Sequence, residues 1–440
     1  MKKKEFTFID LFAGLGGFHL AMESLGGKCV FASELKEDLQ ELYKINFPET
    51  PEVVGDITAE ENLAKIPPHN ILCAGFPCQP FSQAGKRQGF KDVKKRGNMF
   101  DYICRIVAKH RPEYLFLENV ANLKGHDNKN TWNVIFDRLS KLRYDVRETI
   151  LSPHQFGIPQ HRKRIYIVCR NLDAGTLEKF SFPEPTNVDC DIRQIIDEND
   201  IDYTPLKPET RRYLDIWQDF LEQLKKKRKK IPSFPIWSME FGATYDFKES
   251  APAYSSPKNL IGKKGQFGKR ITRNNIDKDL SILPKYARAK SSKKFPHWKI
   301  RYIEENRKFY CDNKEWLDEW LEKVKGLNNS FLKLEWNCGK DTPTLSDKII
   351  QFRASGIRVK KPTFSPALNL IGTQIPIFPW VKLPDSKEKG RYMTYREAAS
   401  LQGMRNLRFS GLSNCRIFEA LGNAVNVTVV GMIARRLIKL

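Results

Sequence analysis

The chain has 440 residues, 75 of them basic and 52 acidic, for a net charge of +23, and 40% are hydrophobic. That length is enough for two domains with a large core, and the composition is that of an ordinary soluble globular protein. Nine cysteines without a CxxC pair argue against a disulfide framework and a zinc ribbon, so no metal site is expected, and they fit a reducing cytoplasm. No apolar run approaches the length of a membrane span, and the stretch behind Met1-Lys2-Lys3-Lys4 is short and holds Asp10, which argues against export.

Over the first 170 residues, strands and helices alternate. Strands are predicted at 6–12, 29–32, 53–56, 71–75, 114–117, 146–151 and 164–169, and helices at about 17–25, 35–45, 99–108 and 131–142. The rhythm predicts an open, doubly wound α/β sheet with sites at the strand C-termini. From Phe182-Pro183-Glu184-Pro185 to about 390 the pattern stops, and the chain reads as irregular, rich in Lys and Trp, with few strong strands. Residues 393–402 then read as a helix with Thr394 as N-cap and Glu397 completing a capping box, and 425–438 as an apolar last helix. The expected division is 1–180, an insertion at 181–389, and 390–440 returning to the first domain.

The positive excess favours polyanions, nucleic acid above all, although a basic surface kept for solubility would carry the same charge. It is concentrated in the insertion. Residues 251–310 hold 16 basic against 4 acidic residues, and 225–230 is an unbroken basic run.

Three clusters carry candidate chemistry. After the first strand, Phe12, Gly14, Leu15, Gly16 and Gly17 form a turn that lets backbone approach a ligand, but His19 stands where a dinucleotide fingerprint needs a third glycine. Glu34 ends the second strand, where a carboxylate can accept ribose hydroxyls, and Asp56 ends the third. The set suits a nucleoside without a pyrophosphate; a tight turn with two solvated acids would read the same. At the fourth strand end, Cys78 stands on a turn fixed by Pro77 and Pro80. An isolated buried cysteine is usually inert, but Glu118 ends the neighbouring strand, and a thiol beside a carboxylate suggests covalent attack on a ring helped by proton donation. Asn119 beside Glu118 is suited to a local backbone hydrogen bond. Lastly, Arg162 and Arg164 lead into a strand, expected on one side of it, where either would clamp a carbonyl, carboxylate or phosphate unless both face solvent.

Together these pieces resemble the cytosine-C5 DNA methyltransferases. FIDLFAGLGGF (8–18) is similar to their cofactor motif and GFPCQPFSQAG (75–85) to their nucleophile motif; RGNMF (96–100), ENV (118–120), QHRKRIYIV (160–168), RYMTYREAASLQGM (391–404) and EALGNAVNVTV (419–429) follow in the family's order. The amino-group methyltransferases carry Asn/Asp-Pro-Pro-aromatic where this chain has Phe-Pro-Cys-Gln. Tyr395, where the family often has proline, is a small departure.

The resemblance implies a Rossmann-like, mostly parallel methyltransferase sheet with a second, smaller, irregular target-recognition domain. It implies S-adenosylmethionine as cofactor, held by Phe12, Gly14, Leu15, Gly17, Glu34, Asp56, Ile57, Pro77, Met99 and Asn423. Cys78 would attack C6 of a flipped-out cytosine, Glu118 would bond its N3 edge, and Arg164 its O2 side, with Arg162 and Ser82 nearby on base or phosphate. Residues 79–93 would form a loop closing over the base, with Lys86 and Arg87 on phosphates. In the insertion, Gln266 on a flexible basic loop, and Arg353 and Arg358 facing guanine edges, would contact DNA; backbone grip alone is the alternative. The segment around Trp316 and Trp320 reads as a helical elaboration without an assignable role. The expected setting is a cytoplasmic, monomeric restriction-modification enzyme on double-stranded DNA, with any cognate endonuclease acting independently. A transfer-RNA cytosine methyltransferase and a non-catalytic DNA-binding module are the rivals.

Overall fold

The computed structural model describes residues 5–77, 99–186, 188–273, 282–290, 292–324, 326–368, 374–384 and 386–439. The chain divides into two compact units. Met1–Asp197, Thr363–Gly372 and Thr394–Leu440 form the first; Glu198–Pro362 and Thr373–Met393 form the second.

In the first unit the strands are β1 (Phe6–Leu11), β2 (Gly27–Ser33), β3 (Val53–Val54), β4 (Ile71–Ala74), β5 (Tyr114–Val120), β6 (Tyr144–Leu151), β7 (Gln160–His161) and β8 (Arg164–Asn171). Between them run α1 (Gly17–Glu23), α2 (Glu37–Asn46), α3 (Glu60–Ala64), α4 (Met99–His110) and α5 (Asn130–Lys141). Among the described residues one seven-stranded sheet has the order β3-β2-β1-β4-β5-β8-β6. β1 to β5 are parallel, while β8 runs antiparallel to β5 and to β6.

The strands are apolar on both faces because both are covered. Ile9, Leu11, Leu115, Leu117 and Ile165 pack with Ile103 and Ile106 of α4 and Ile135 and Leu139 of α5. Phe8, Phe116, Tyr166 and Val168 point the other way, onto Phe18 of α1 and Val429, Ile433 and Leu437 of the last helix. The chain's far end therefore completes the first unit. The capping box expected at Thr394 and Glu397 forms, and opens the helix Tyr395–Leu401. Sequence reading missed the helix Asn414–Asn423, which precedes Val427–Leu437. The stretch Asn414–Leu437 is long and apolar enough to cross a membrane by composition, yet 67% of its apolar 18-residue window is buried within the protein, and it breaks at 424–426, where Asn426 caps the second helix. It is a core helix pair.

The inserted region is not irregular. It carries the long helix α6 (Pro208–Lys226), then β9 (Ile236–Trp237), β10 (Lys333–Asn337), β11 (Ile349–Arg353) and β12 (Gly356–Lys360). β13 (Ser365–Pro366) pairs with β7 in the first unit, and β14 (Ile377–Lys382) and β15 (Lys389–Tyr392) return to the second. Six of these strands make a sheet of order β15-β14-β11-β12-β10-β9. The reason they escaped notice is physical. Each is short, one face is polar, and partners lie up to about a hundred residues apart, so no local window shows a sustained alternation. The buried face, with Leu334, Ile350, Ile357 and Val359, packs on Tyr213, Trp217 and Phe220 of α6 and on Trp316, Leu317 and Trp320. Those last three belong to the helix Lys314–Val324, so the elaboration is core cover. The two most buried tryptophans satisfy their indole N–H groups: Trp217 donates to the Phe331 carbonyl at 2.9 Å and Trp320 to that of Ile216 at 3.1 Å.

Candidate active site

The turn after β1 is shaped by three left-handed residues, Phe12 (φ 57°), Gly14 (φ 54°) and Gly16 (φ 75°). A bulky residue at positive φ is strained, and such strain concentrates where geometry matters for function. The glycines divide the work. A Cβ on Gly14 would meet nothing within 4 Å, so that side of the turn is open. A Cβ on Gly16 would lie 2.3 Å from Phe47, and one on Gly17 would lie 2.6 Å from Val425 and 2.9 Å from Met404. The missing Cβ at Gly17 therefore admits the C-terminal segment of its own unit.

Glu34 ties this turn to the end of β2. The Gly14 N–H donates to its Oε2 at 2.8 Å and the Lys36 N–H to its Oε1 at 3.0 Å. Each oxygen keeps a further lone pair. Asp56 accepts the Thr58 N–H at 2.8 Å and is exposed, while Leu15 and Ile57 are buried. Met99 opens α4 half-buried, and Pro77 and Asn423 are exposed. A residue not singled out from sequence is Asp10. Its carboxyl is buried, and that burial pushes it well above the usual carboxylate range, with the His19 backbone N–H offsetting part of the rise.

The second group lies where β5 meets β8. Glu118 is buried, and Arg164 Nε lies 3.1 Å from its Oε1 as an ion pair without hydrogen-bond alignment. Desolvation raises the Glu118 pKa, and the charges of Arg164 and Arg162 offset part of that rise. The antiparallel register sets the pair: Glu118 faces Tyr166, and Val120 faces Arg164.

Arg162 departs from expectation. It stands between β7 and β8, outside any strand, so it and Arg164 do not share a face by strand alternation. Its buried guanidinium donates to the carbonyls of Gly422 (2.9 Å) and Ala424 (2.8 Å), and burial pushes its pKa down to about 9. It clamps the C-terminal segment to the sheet, and is not presented to a base or a phosphate. Asn119 makes the expected local backbone hydrogen bond, its Oδ1 accepting from the Val120 N–H at 2.8 Å, and its Nδ2 also donates to the Phe76 carbonyl at 3.1 Å, fastening β5 to the turn that leads to Pro77. Only the tertiary pairing of β4 with β5 brings these two together.

Cys78, Ser82, Lys86, Arg87 and the rest of the 79–93 loop lie outside the described residues. In the second unit Gln266 is part of a tight hairpin rather than a flexible loop: Lys264 and Arg270 bridge, a Cβ on Gly265 would lie 2.1 Å from the Ile282 carbonyl, and Gln266 accepts from Asn329 at 2.7 Å. Arg353 and Arg358 converge on Glu335, at 2.5 and 3.3 Å.

A doubly wound sheet with a glycine turn at β1, an acid at the end of β2 and a carboxylate–arginine pair at β5 defines the class as a Rossmann-like methyltransferase fold. The family model described as C-5 cytosine-specific DNA methylase matches residues 6–439, and the chain belongs to that family. It is 45% identical over 199 residues to the Type II methyltransferase M.HhaI of Haemophilus parahaemolyticus, a match covering 44% of this chain and 59% of that protein. It therefore spans about three fifths of that relative's length. Against the Type II methyltransferase M.AluI of Cellulosimicrobium cellulans it is 28% identical over 498 aligned positions, covering 98% of this chain and 91% of the relative. Among solved structures, the Entamoeba histolytica methyltransferase EhMeth shares the fold at a TM-score of 0.50 and 16% identity, covering 99% of this chain and 98% of that one.

Proposed function

We propose that this protein methylates C5 of a flipped-out cytosine in a specific double-stranded DNA sequence, with Cys78 as nucleophile and Glu118 and Arg164 holding the base. The observation that carries the reading is the buried, incompletely hydrogen-bonded Glu118 beside Arg164, one strand away from the turn that Asn119 fastens. Cytosine C5 is a poor nucleophile. Addition of the Cys78 thiolate to C6 opens the 5,6 double bond and places electron density on C5. A carboxyl whose pKa is raised stays protonated to higher pH and donates to N3, which takes up the charge that addition creates. The Arg164 guanidinium supports the O2 side. Once C5 has taken the methyl, loss of its proton and expulsion of the thiolate restore the aromatic ring and free enzyme.

The open side of Gly14, the Phe12 ring and the Glu34 carboxylate fit S-adenosylmethionine, which when bound supplies the methyl on a sulfonium. Glu34 has lone pairs for ribose hydroxyls, Asp56 an acceptor for the adenine amine, and Leu15, Ile57 and Met99 line the same end. The second unit serves as the target-recognition domain, and Ser82, Lys86 and Arg87 meet the backbone near the flipped base. Host protection in a restriction-modification system is in keeping with the relatives' naming as Type II methyltransferases, and the enzyme is proposed to act in the cytoplasm as a monomer.

The test is transfer of label from S-adenosylmethionine to unmethylated bacterial DNA. Label in 5-methylcytosine is expected; label on N4, or on RNA alone, overturns the assignment. A duplex with 5-fluorocytosine at the target should trap a denaturation-resistant adduct, and the same adduct formed by Cys78→Ala would remove Cys78 from its role.

A further inference from the structure

The outward face of the second unit's sheet is positively charged by its register. Along β10, Lys333 and Glu335 alternate with buried Leu334; along β12, Arg358 alternates with buried Ile357 and Val359. Glu335 stands opposite Arg358, and Arg353 opposite Gly356. Glu335 is the sole acid in the sequences of β10, β11 and β12, and both of those arginines are spent on it.

At the edge of this face two lysines are left over. Lys333 Nζ lies 5.0 Å from the ring centre of Trp237, its neighbour in register, and 5.1 Å from that of Tyr286. Lys299, in the first turn of the helix His297–Cys311, holds its Nζ 4.7 Å from Phe295, 5.6 Å from Trp298 and 5.8 Å from the same Tyr286. Among the described residues neither ammonium has an ion pair or a hydrogen bond. The carboxylates whose charge reaches Lys333 have other partners: Glu240 accepts from Tyr245, Tyr286 and Arg307, and Glu335 is ion-paired with the two arginines. Burial, and then the Lys299 charge, lower the Lys333 pKa. Aromatic faces attract a cation without neutralising it, and they hold both stems in place. Two ammoniums sharing one ring, with no counter-ion among the described residues, repel each other until an anion arrives. Trp298, half-exposed beside them, leaves the site open.

We propose that Lys299 and Lys333 form a two-point clamp for the phosphodiester backbone of duplex DNA, at the end of the basic sheet face that carries Arg353 and Arg358. This rests on the reading of the protein as a DNA methyltransferase and adds residues that neither the motifs nor the charge runs singled out. Aromatic packing fixes where the two charges sit, so the clamp positions the duplex as well as attracting it.

The experiment uses the full chain and a 30-base-pair DNA duplex of arbitrary sequence, with the dissociation constant measured by fluorescence anisotropy across a salt series. Each phosphate contact contributes about 0.9 to the slope of log affinity against log salt, so the Lys299→Met/Lys333→Met variant should lower the slope by about 1.8. Affinity at 100 mM salt should fall by roughly tenfold or more. Methionine keeps the packing on the rings. Lys299→Arg/Lys333→Arg should retain the slope, and Lys225→Gln/Lys226→Gln on α6 should lower it by less than half as much. An unchanged slope in the Met variant, an equal fall in the α6 variant, or a loss confined to RNA of the same length overturns the clamp. The salt series reads binding without methyl transfer, so absence of 5-methylcytosine in the wild-type assay would sink the functional reading separately. If the Met variant fails to fold, as read by its thermal melt, loss of slope in Lys299→Arg/Lys333→Arg would overturn the clamp in its place.

Discussion

Glu118 in the first unit and Glu240 in the second are both buried carboxylates beside an arginine, at 3.1 Å from Arg164 and 2.9 Å from Arg307. They differ in how fully they are satisfied. Glu240 accepts from two tyrosine hydroxyls on one oxygen and from Arg307 Nε on the other. Glu118 Oε1 has no aligned donor among the described residues, and burial raises its pKa. A buried acid with an aligned donor on both oxygens holds a fold together, whereas one held short of satisfaction has capacity for a partner that is not part of the chain.

The largest effect that would break this comparison is kinetic. Glu118→Gln keeps the size of the side chain and loses the acid, so methyl transfer should fall by about 10²–10⁴-fold, with cofactor binding changed far less. Comparable losses of rate and cofactor affinity would count against the proposed role. Glu240→Leu should do the reverse. It strands Arg307 and two tyrosines in the interior and should cost about 3–5 kcal/mol in denaturant unfolding; a stability loss under about 1 kcal/mol would mean that Glu240 is not structural.

A third test sharpens the comparison through pH. The Arg164 charge favours ionised Glu118, so Arg164→Met should raise the carboxyl's pKa further. The alkaline side of the rate profile that reports its deprotonation should then move to higher pH, even as the rate itself drops. A shift to lower pH would show that Arg164 does not act on Glu118. The smallest effect is expected from Asn119→Ala. It removes one buried hydrogen bond to the Phe76 carbonyl, worth about 1 kcal/mol of stability, and should lower kcat more than it raises KM for the cofactor; Asn119→Ser, which keeps a donor, should recover part of the rate.

Much of the first unit was legible in the sequence because its strands are buried on both faces and read as continuous apolar runs between glycines and caps. The capping box at Thr394 and the acids at strand ends were legible for the same reason, since each is a local arrangement. The second unit's sheet was not, because its pairing joins segments such as β9 and β10 that lie far apart in the chain. The hairpin at Gln266 was misread as a loose loop because composition shows its glycines but not the Ile282 carbonyl pressed against Gly265.

What the sequence determined by itself was the chemical inventory and its order: a thiol between prolines, an acid at each of several strand ends, a basic insertion. Those are properties of neighbours along the chain, where backbone preferences and short spacings act. Only tertiary structure decided which charges were spent. Arg162 went to the carbonyls of a segment 260 residues away, Arg353 and Arg358 went to Glu335, and among the described residues Lys299 and Lys333 were left without an acid. Charge pairing depends on distance through space and on burial, and neither is written in the order of residues.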